Sequence, residues 1–211
     1  MINAVGGKRA LKNDQLRQKL IDAMEQLMTQ YGYDTINIRA ICKVSGVSYG
    51  SFYNLFESKE KFLVYYLTND FLRFQKEYYA KNHQFQSLDP LEKVIDIYAC
   101  CGLYNDSKGY EFISGFYSSH NYGLYLPPGG RAEGAYAFTP LYEESITYLA
   151  QAKENKLIHQ DLDLDVVARK LCFLFNGVTY NWCISQGQIF IVNEIRELFD
   201  LYINSIKSET L

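Results

Sequence analysis

Residues 38–56, IRAICKVSGVSYGSFYNLF, set two short apolar-faced segments on either side of Ser45-Gly46-Val47. Asn37 is a good N-cap for the first segment, which the spacing predicts as a helix over about 38–44. Ile38, Ile41 and Val44 give it a buried face, and the small Cys42 lets a second helix approach closely. Gly46 is suited to the left-handed backbone that a tight turn between two helices requires. Val47 then precedes Ser48 and can pack as a hydrophobic staple, while Ser48 caps a further short helix reaching about Leu55. This is helix-turn-helix spacing.

The second of these helices has two unlike sides. Phe52, Leu55 and Phe56 share one face and belong to a core. Gly50, Ser51, Tyr53 and Asn54 point away from it, with Tyr49 at the exposed tip. Glycine inside a helix costs about 1 kcal/mol against alanine, a cost that close backbone approach to DNA would justify. Hydroxyls and an amide on the outward face suit hydrogen bonding, although an ordinary solvated face has the same composition. Lys59 and Lys61 tilt the reading toward nucleic acid. They open the next helix after its Ser58 cap, where positive charge opposes the dipole by ~0.3–1 kcal/mol unless an anion sits there. Lys8, Arg9 and Lys12 form a basic arm ahead of the first helix, suited to following a DNA backbone; a solvated tail is the alternative.

Outward from this core motif the chain reads as all-α, with about nine helices. Proline occurs only at 90, 127, 128 and 140. A first helix over about 14–31 carries Leu16, Leu20, Met24, Leu27 and Tyr31 on one face, with Gly32 placed to stop it. The fourth helix runs from Ser58 to about Lys81 on a stripe of Phe62, Leu63, Tyr66, Leu67, Phe71, Phe74 and Tyr78. Pro90 opens a fifth, to about Tyr104, and a sixth spans about 110–118. Residues 120–139 read as a long loop around Pro127-Pro128-Gly129-Gly130. Three helices follow, over about 140–155, 163–186 and 189–206. We expect a helix-turn-helix domain over 1–60 and a larger helical domain for ligand sensing and dimerisation over 61–211.

Net charge is -3, which taken alone argues against nucleic acid. Its distribution reverses the argument. Residues 1–62 hold nine Lys/Arg and six Asp/Glu, a balance of +3, and the remainder holds twelve and eighteen, a balance of -6. A positive head on a negative body suits a protein that sets one end on phosphates. No apolar run reaches the ~18 residues of a membrane span, and residues 1–11 lack an apolar signal segment, so the expected location is the cytoplasm. Cys42, Cys100, Cys101, Cys172 and Cys183 form no C-x-x-C and read as small buried hydrophobes, with a thiol sensor at Cys100-Cys101 as the alternative. His83, His120 and His159 lie far apart without metal-ligand spacing. No nucleophile elbow, P-loop or HExxH occurs. We therefore expect no enzyme, no cofactor and no metal.

The last two helices are apolar on more than one face. Val167, Leu171, Leu174, Phe175, Val178 and Trp182 line one stripe; Ile191, Ile195, Leu198, Phe199, Tyr202 and Ile206 line another. Two such helices from each of two chains would make a four-helix bundle. The expected dimer interface is Phe175, Val178, Trp182, Ile195, Leu198 and Tyr202. Tyrosines with a polar handle populate the middle of the chain and suit a pocket for an aromatic or amphipathic small molecule. Tyr98, Tyr117, Tyr142, Asn176 and Tyr180 are the expected pocket residues, and a tyrosine-rich core is the plainer alternative.

Leu16 to Leu67 resembles the N-terminal domain of the tetracycline-repressor (TetR) family. The amphipathic first helix, Tyr31-Gly32-Tyr33, Gly46-Val47-Ser48, Gly50-Ser51-Phe52-Tyr53 and Phe56-x-Ser58-Lys59-Glu60 carry the likeness in order. It covers about a third of the chain by motif; beyond it, only helix count and length are similar. The resemblance implies a homodimer that binds double-stranded operator DNA through Asn37, Ser48, Tyr49, Gly50, Ser51, Tyr53, Asn54 and Lys59. It also implies a repressor released by an unidentified small-molecule effector. A helix-turn-helix protein without a ligand and a ligand-dependent activator are the alternatives. Tyr49 stands where a basic residue is frequent, Leu55 where an aromatic is frequent and Ile36 where Thr is common. These departures bear on which operator is read.

Overall fold

The computed structural model describes residues 3–31, 36–117 and 139–208. They are helical throughout, with one isolated bridge between Ile158 and Lys207. In chain order the helices are α1 (Asn3–Gln30), α2 (Ile38–Ser45), α3 (Tyr49–Phe56), α4 (Lys59–Lys81), α5 (Pro90–Lys108), α6 (Tyr110–Phe116), α7 (Thr139–Glu154), α8 (Leu164–Ile184) and α9 (Ile191–Ile206). A short 3₁₀ turn, His83–Ser87, joins α4 to α5. The all-α expectation holds. Among the described residues no helix is long and apolar enough to cross a membrane. Of the expected 120–139 loop, residues 120–138 lie outside the described residues, as do Gly32-Tyr33, while Thr139 opens α7.

The helix ends follow from their capping chemistry. Asn37 accepts a hydrogen bond from the Ala40 amide at 3.0 Å, and Gly46 closes α2 at φ 67. Ser48 accepts from the Ser51 amide at 3.2 Å and starts α3. Asp89 accepts from the amides of Leu91 and Glu92 while Glu92 accepts from the Asp89 amide, a reciprocal capping box ahead of Pro90. Each satisfies amides that the helix itself leaves unpaired.

The chain divides into two compact units, Met1–Tyr66 and Leu67–Leu211, with the division inside α4 and six residues beyond the expected domain boundary at 60. In the first unit α1 packs on α2 and α2 on α3. Leu20, Met24, Leu27, Ile36, Ile41, Val47, Phe52, Phe56 and Phe62 are buried. Phe52 and Phe56 of α3 meet Phe62 of α4 edge-on, with ring centroids 5.5 and 5.0 Å apart. Full burial of such side chains stabilises by about 1.5–3 kcal/mol each. They fix α3 by one face and leave the other outward.

Three local expectations are corrected here. The first helix begins at Asn3, so Lys8, Arg9 and Lys12 lie within α1 and not in an arm ahead of it. No proline interrupts residues 1–14, and Ala, Lys, Arg and Leu are good helix formers. Tyr31 is exposed just past the end of α1, and Val44 is exposed while Cys42 is buried. The buried face of α2 is thus centred on Ile41-Cys42, rotated from the expected stripe.

In the second unit α5 is the central element and packs on α7 and α9, while α8 packs on α6, α7 and α9. Helix α5 continues four residues past Tyr104 to Lys108. A Cβ added at Gly102 would meet Ile195 Cδ1 at 2.6 Å, so glycine permits the close α5–α9 approach. All five cysteines are buried and free. Burial, with Asp96 and Glu144 nearby, pushes the Cys100 thiol up to about 12; burial also pushes Cys183 to about 11 and Cys101 well above its ordinary value. Reactive thiols need the opposite shift, which favours the reading as small hydrophobes over a thiol sensor.

Candidate nucleic-acid interface

The first turns of α2, α3 and α4 meet around a groove of about 540 Å³, lined by Asn37, Ile38, Arg39, Tyr49, Tyr53 and Lys59. Four of the eight residues singled out from the sequence therefore share one concavity. Tyr49 and Tyr53 are exposed on α3, one turn apart, with ring centroids 6.4 Å apart. Phe52 beside them is fully buried and meets the Tyr53 ring edge-on at 5.5 Å. Anchoring at Phe52 thus holds the two tyrosines outward.

The other four residues are placed around this groove. Gly50 and Asn54 are exposed on α3. A Cβ at Gly50 would find no heavy atom within 4 Å, so packing inside the chain does not require glycine there. Ser48 and Ser51 share a hydroxyl–hydroxyl bond of 2.9 Å as well as the capping bond, so both also serve the start of α3. Asn37 likewise caps α2 while facing the groove.

Lys61 departs from expectation. Its ammonium pairs with Glu57 at 2.5 Å, one turn back across the α3–α4 turn. Glu57 itself adopts a positive φ of 56, just past the end of α3. The second cation on the groove is instead Arg39, an exposed α2 residue the sequence reading passed over. Its signal was available, because position 39 falls off the expected Ile38, Ile41 and Val44 stripe.

Residues 20–66, which contain this groove's walls, match the family described as bacterial regulatory proteins, tetR family. The match places a tetR-family helix-turn-helix segment at residues 20–66 of this chain. Along its length the chain is 25% identical, over 182 residues, to the uncharacterized HTH-type transcriptional regulator YwcC of Bacillus subtilis (strain 168), covering 81% of this chain and 78% of that one. Its fold is similar to that of Thermus thermophilus FadR, a TetR-family transcriptional repressor solved with lauroyl-CoA. The TM-score is 0.70 at 19% identity, over 92% of this chain and 97% of that one. It is also similar to RolR solved with resorcinol, with a TM-score of 0.66 at 17% identity, over 93% and 90% of the two chains.

Four of the five residues expected to line a ligand pocket, Tyr98, Tyr117, Tyr142 and Asn176, are engaged in hydrogen bonds with their neighbours. Tyr98 is fully buried; its hydroxyl accepts from Ser145 at 3.1 Å and lies 3.3 Å from the Cys172 sulfur. Tyr117 donates to Asn176 Oδ1 at 3.1 Å, and Tyr142 donates to Asp165. Burial raises the Tyr98 and Tyr117 hydroxyls well above their usual range, so both remain neutral donors. Tyr180 is exposed on α8, which removes it from an internal pocket. Tyr98, Tyr117, Tyr142 and Asn176 are thus satisfied within the chain, and an incoming molecule must replace these bonds.

The expected interface residues also separate. Phe175, Trp182 and Ile195 are buried in the chain's own core, Phe175 against Tyr98 with centroids 5.6 Å apart. They are corrected to core residues. Leu198, Tyr202 and the buried Val178 line an apolar groove of about 590 Å³ between α8 and α9, together with Phe173, Leu174 and Gly177. Around it Phe173 is 54% exposed, Leu201 70% and Phe190 78%. The sequence stripe missed these because both sides of each helix are apolar.

Proposed function

We propose that this chain is a tetR-family regulator, a cytoplasmic homodimer that represses transcription from its operator and is released when a small molecule binds the second unit. The observation that carries the DNA-binding part is the shared groove of Asn37, Tyr49, Tyr53 and Lys59, with two cations on its rim. Phosphate contacts position such a head and the outward α3 face reads bases. The apolar α8–α9 face supports dimerisation, because a monomer would leave Phe173, Phe190 and Leu201 in water. Two heads about 34–36 Å apart would then enter successive major grooves.

The ligand part is supported by the family and by the two similar folds solved with lauroyl-CoA and resorcinol. We infer an aromatic or amphipathic molecule that exchanges hydrogen bonds with neutral groups such as Tyr98, Tyr117 and Asn176. Helix α4 belongs to both units and spans about 35 Å at 1.5 Å per residue, which makes it the covalent route between sensing and binding. A ligand shifts operator affinity only by its preference for one state, typically 5–150-fold, or about 1–3 kcal/mol. The test selects an operator from a random duplex pool, finds ligands by thermal shift, and titrates operator with and without them. A ligand that binds the second unit tightly yet leaves operator affinity unchanged would falsify release. Tighter operator binding with ligand would establish the activator instead.

A further inference from the structure

The reading of the first unit as a DNA-binding head, on which this inference rests, leaves Arg39 without a role. Two other cations of this unit are committed. Arg17 is paired with Asp14 at 2.9 Å and lies over the Tyr65 ring at 5.9 Å. Lys61 is paired with Glu57 at 2.5 Å. Arg39 is exposed, and among the described residues it makes no ion pair or hydrogen bond. It lines the groove that also holds Lys59, and among the described residues no carboxylate lines that groove. Arg39 thus adds a second positive side chain to the concavity that Lys59 lines, and an anion entering there is drawn to both.

The chemistry of the walls specifies the anion. A guanidinium offers a planar fork that matches two oxygens of a phosphate, whereas an ammonium acts as a point charge. The Tyr49 and Tyr53 rings add flat apolar surface with a hydroxyl at the end. Such a site favours an anion joined to sugar and base over a free inorganic one. We propose that Arg39 and Lys59 hold one DNA phosphodiester between them, and that Arg39 is a positioning contact that carries no base preference. The charge absent from the tip of α3, where Tyr49 stands, is thereby supplied from the side of α2.

The test uses the full chain and two fluorescein-labelled 30-bp duplexes, one of random sequence and one carrying the selected operator. Binding is measured by anisotropy over a salt series for wild type, Arg39→Ala, Arg39→Lys and Lys43→Ala. Lys43 is an exposed α2 cation outside the groove and controls for net charge. We expect Arg39→Ala to weaken both duplexes by the same factor, about tenfold, and to lower the salt slope by about one. Arg39→Lys should keep the slope and lose a few-fold in affinity, because charge survives while the fork does not. The inference is overturned by an unchanged slope in Arg39→Ala, by an equal effect of Lys43→Ala, or by a loss confined to the operator duplex. If wild type bound neither duplex, the DNA-binding reading itself would fall. Unchanged circular dichroism and melting of Arg39→Ala exclude unfolding as the cause.

Discussion

The Tyr104 hydroxyl on α5 donates to the Asp70 carboxylate on α4 at 2.9 Å, inside a cluster that also brings Arg73 and Lys108 onto Asp70. Asp70 is 5% exposed, and the Lys108 ammonium lies 5.3 Å over the Tyr104 ring. The second half of α4 is therefore tied to the C-terminal end of α5 by charge as well as by packing. Removing Asp70 strands the partly buried Lys108. We expect Asp70→Ala to lower stability by about 3 kcal/mol, toward the low end for broken buried pairs because Arg73 is half in water. Tyr104→Phe should cost about 1 kcal/mol, the worth of one hydrogen bond. Urea midpoints for the two variants decide it; equal losses would mean that the Tyr104–Asp70 hydrogen bond, not the charge pairs, carries the cluster.

DNA affinity should separate the two lysines at the start of α4. Lys59→Ala is expected to lower affinity for all sequences alike and to reduce the salt slope by about one. Lys61→Ala should do less, because that ammonium does not line the groove and is directed to Glu57 instead. Tyr53→Phe should weaken operator and random DNA to the same extent. If Lys61→Ala matched Lys59→Ala, the groove would be the wrong address for the phosphate.

The α8–α9 face should decide oligomeric state. Leu201→Asp and Phe173→Asp replace exposed apolar groups, so each should give a folded monomer that no longer holds operator, since one half-site binds weakly. Phe175→Asp should instead fail to fold, because that ring is in the core. Sedimentation velocity at micromolar concentration reads both. A wild-type monomer under these conditions would remove the dimer from the proposal.

Gly46 tests the turn. At φ 67 an L side chain costs roughly 1–2 kcal/mol, and a Cβ there meets nothing within 4 Å, so the cost is purely one of backbone. Gly46→Ala should lower the melting temperature, and Gly46→Asn, which tolerates the left-handed region better, should restore part of it. No difference between the two would show that the turn relaxes out of this conformation.

Glu144 gives the chain a pH dependence. Burial raises its pKa, against a hydrogen bond from Gln75 at 3.0 Å that lowers it. The folded state thus holds a proton that the unfolded state has released, so this group's contribution falls as pH rises from about 4 through the raised value. Glu144→Gln should flatten that part of the stability–pH curve and raise stability at pH 7 relative to wild type. Chemical denaturation at several pH values checks it, and an unaltered curve would contradict the burial argument.

How much of this was legible in the sequence depended on punctuation. Asn37, Gly46, Ser48 and Asp89-Pro90 mark helix ends by local chemistry, and the structure uses each as such. Periodicity said less about which side of a helix meets its own chain. Helices α8 and α9 are apolar on opposite sides, and the stripe containing Phe175, Trp182 and Ile195 went inward while Phe173 and Leu201 stayed out. The Lys61 pairing was passed over for another reason: the partner Glu57 stands four residues earlier but in the turn between α3 and α4, not within one helix. Arg39 was overlooked because its partner in the groove, Lys59, is twenty residues away in sequence.

The eight residues of α3 divide their duties. Phe52 and Phe56 bind the helix to the head, and Tyr49, Gly50, Tyr53 and Asn54 touch little of it. Substitutions at those four positions therefore escape most of the stability cost that usually constrains change. A duplicated copy of this gene has room to drift toward a new target sequence while its fold stays intact. A laboratory library confined to the same four positions should yield a high fraction of folded proteins from which altered binding can be selected.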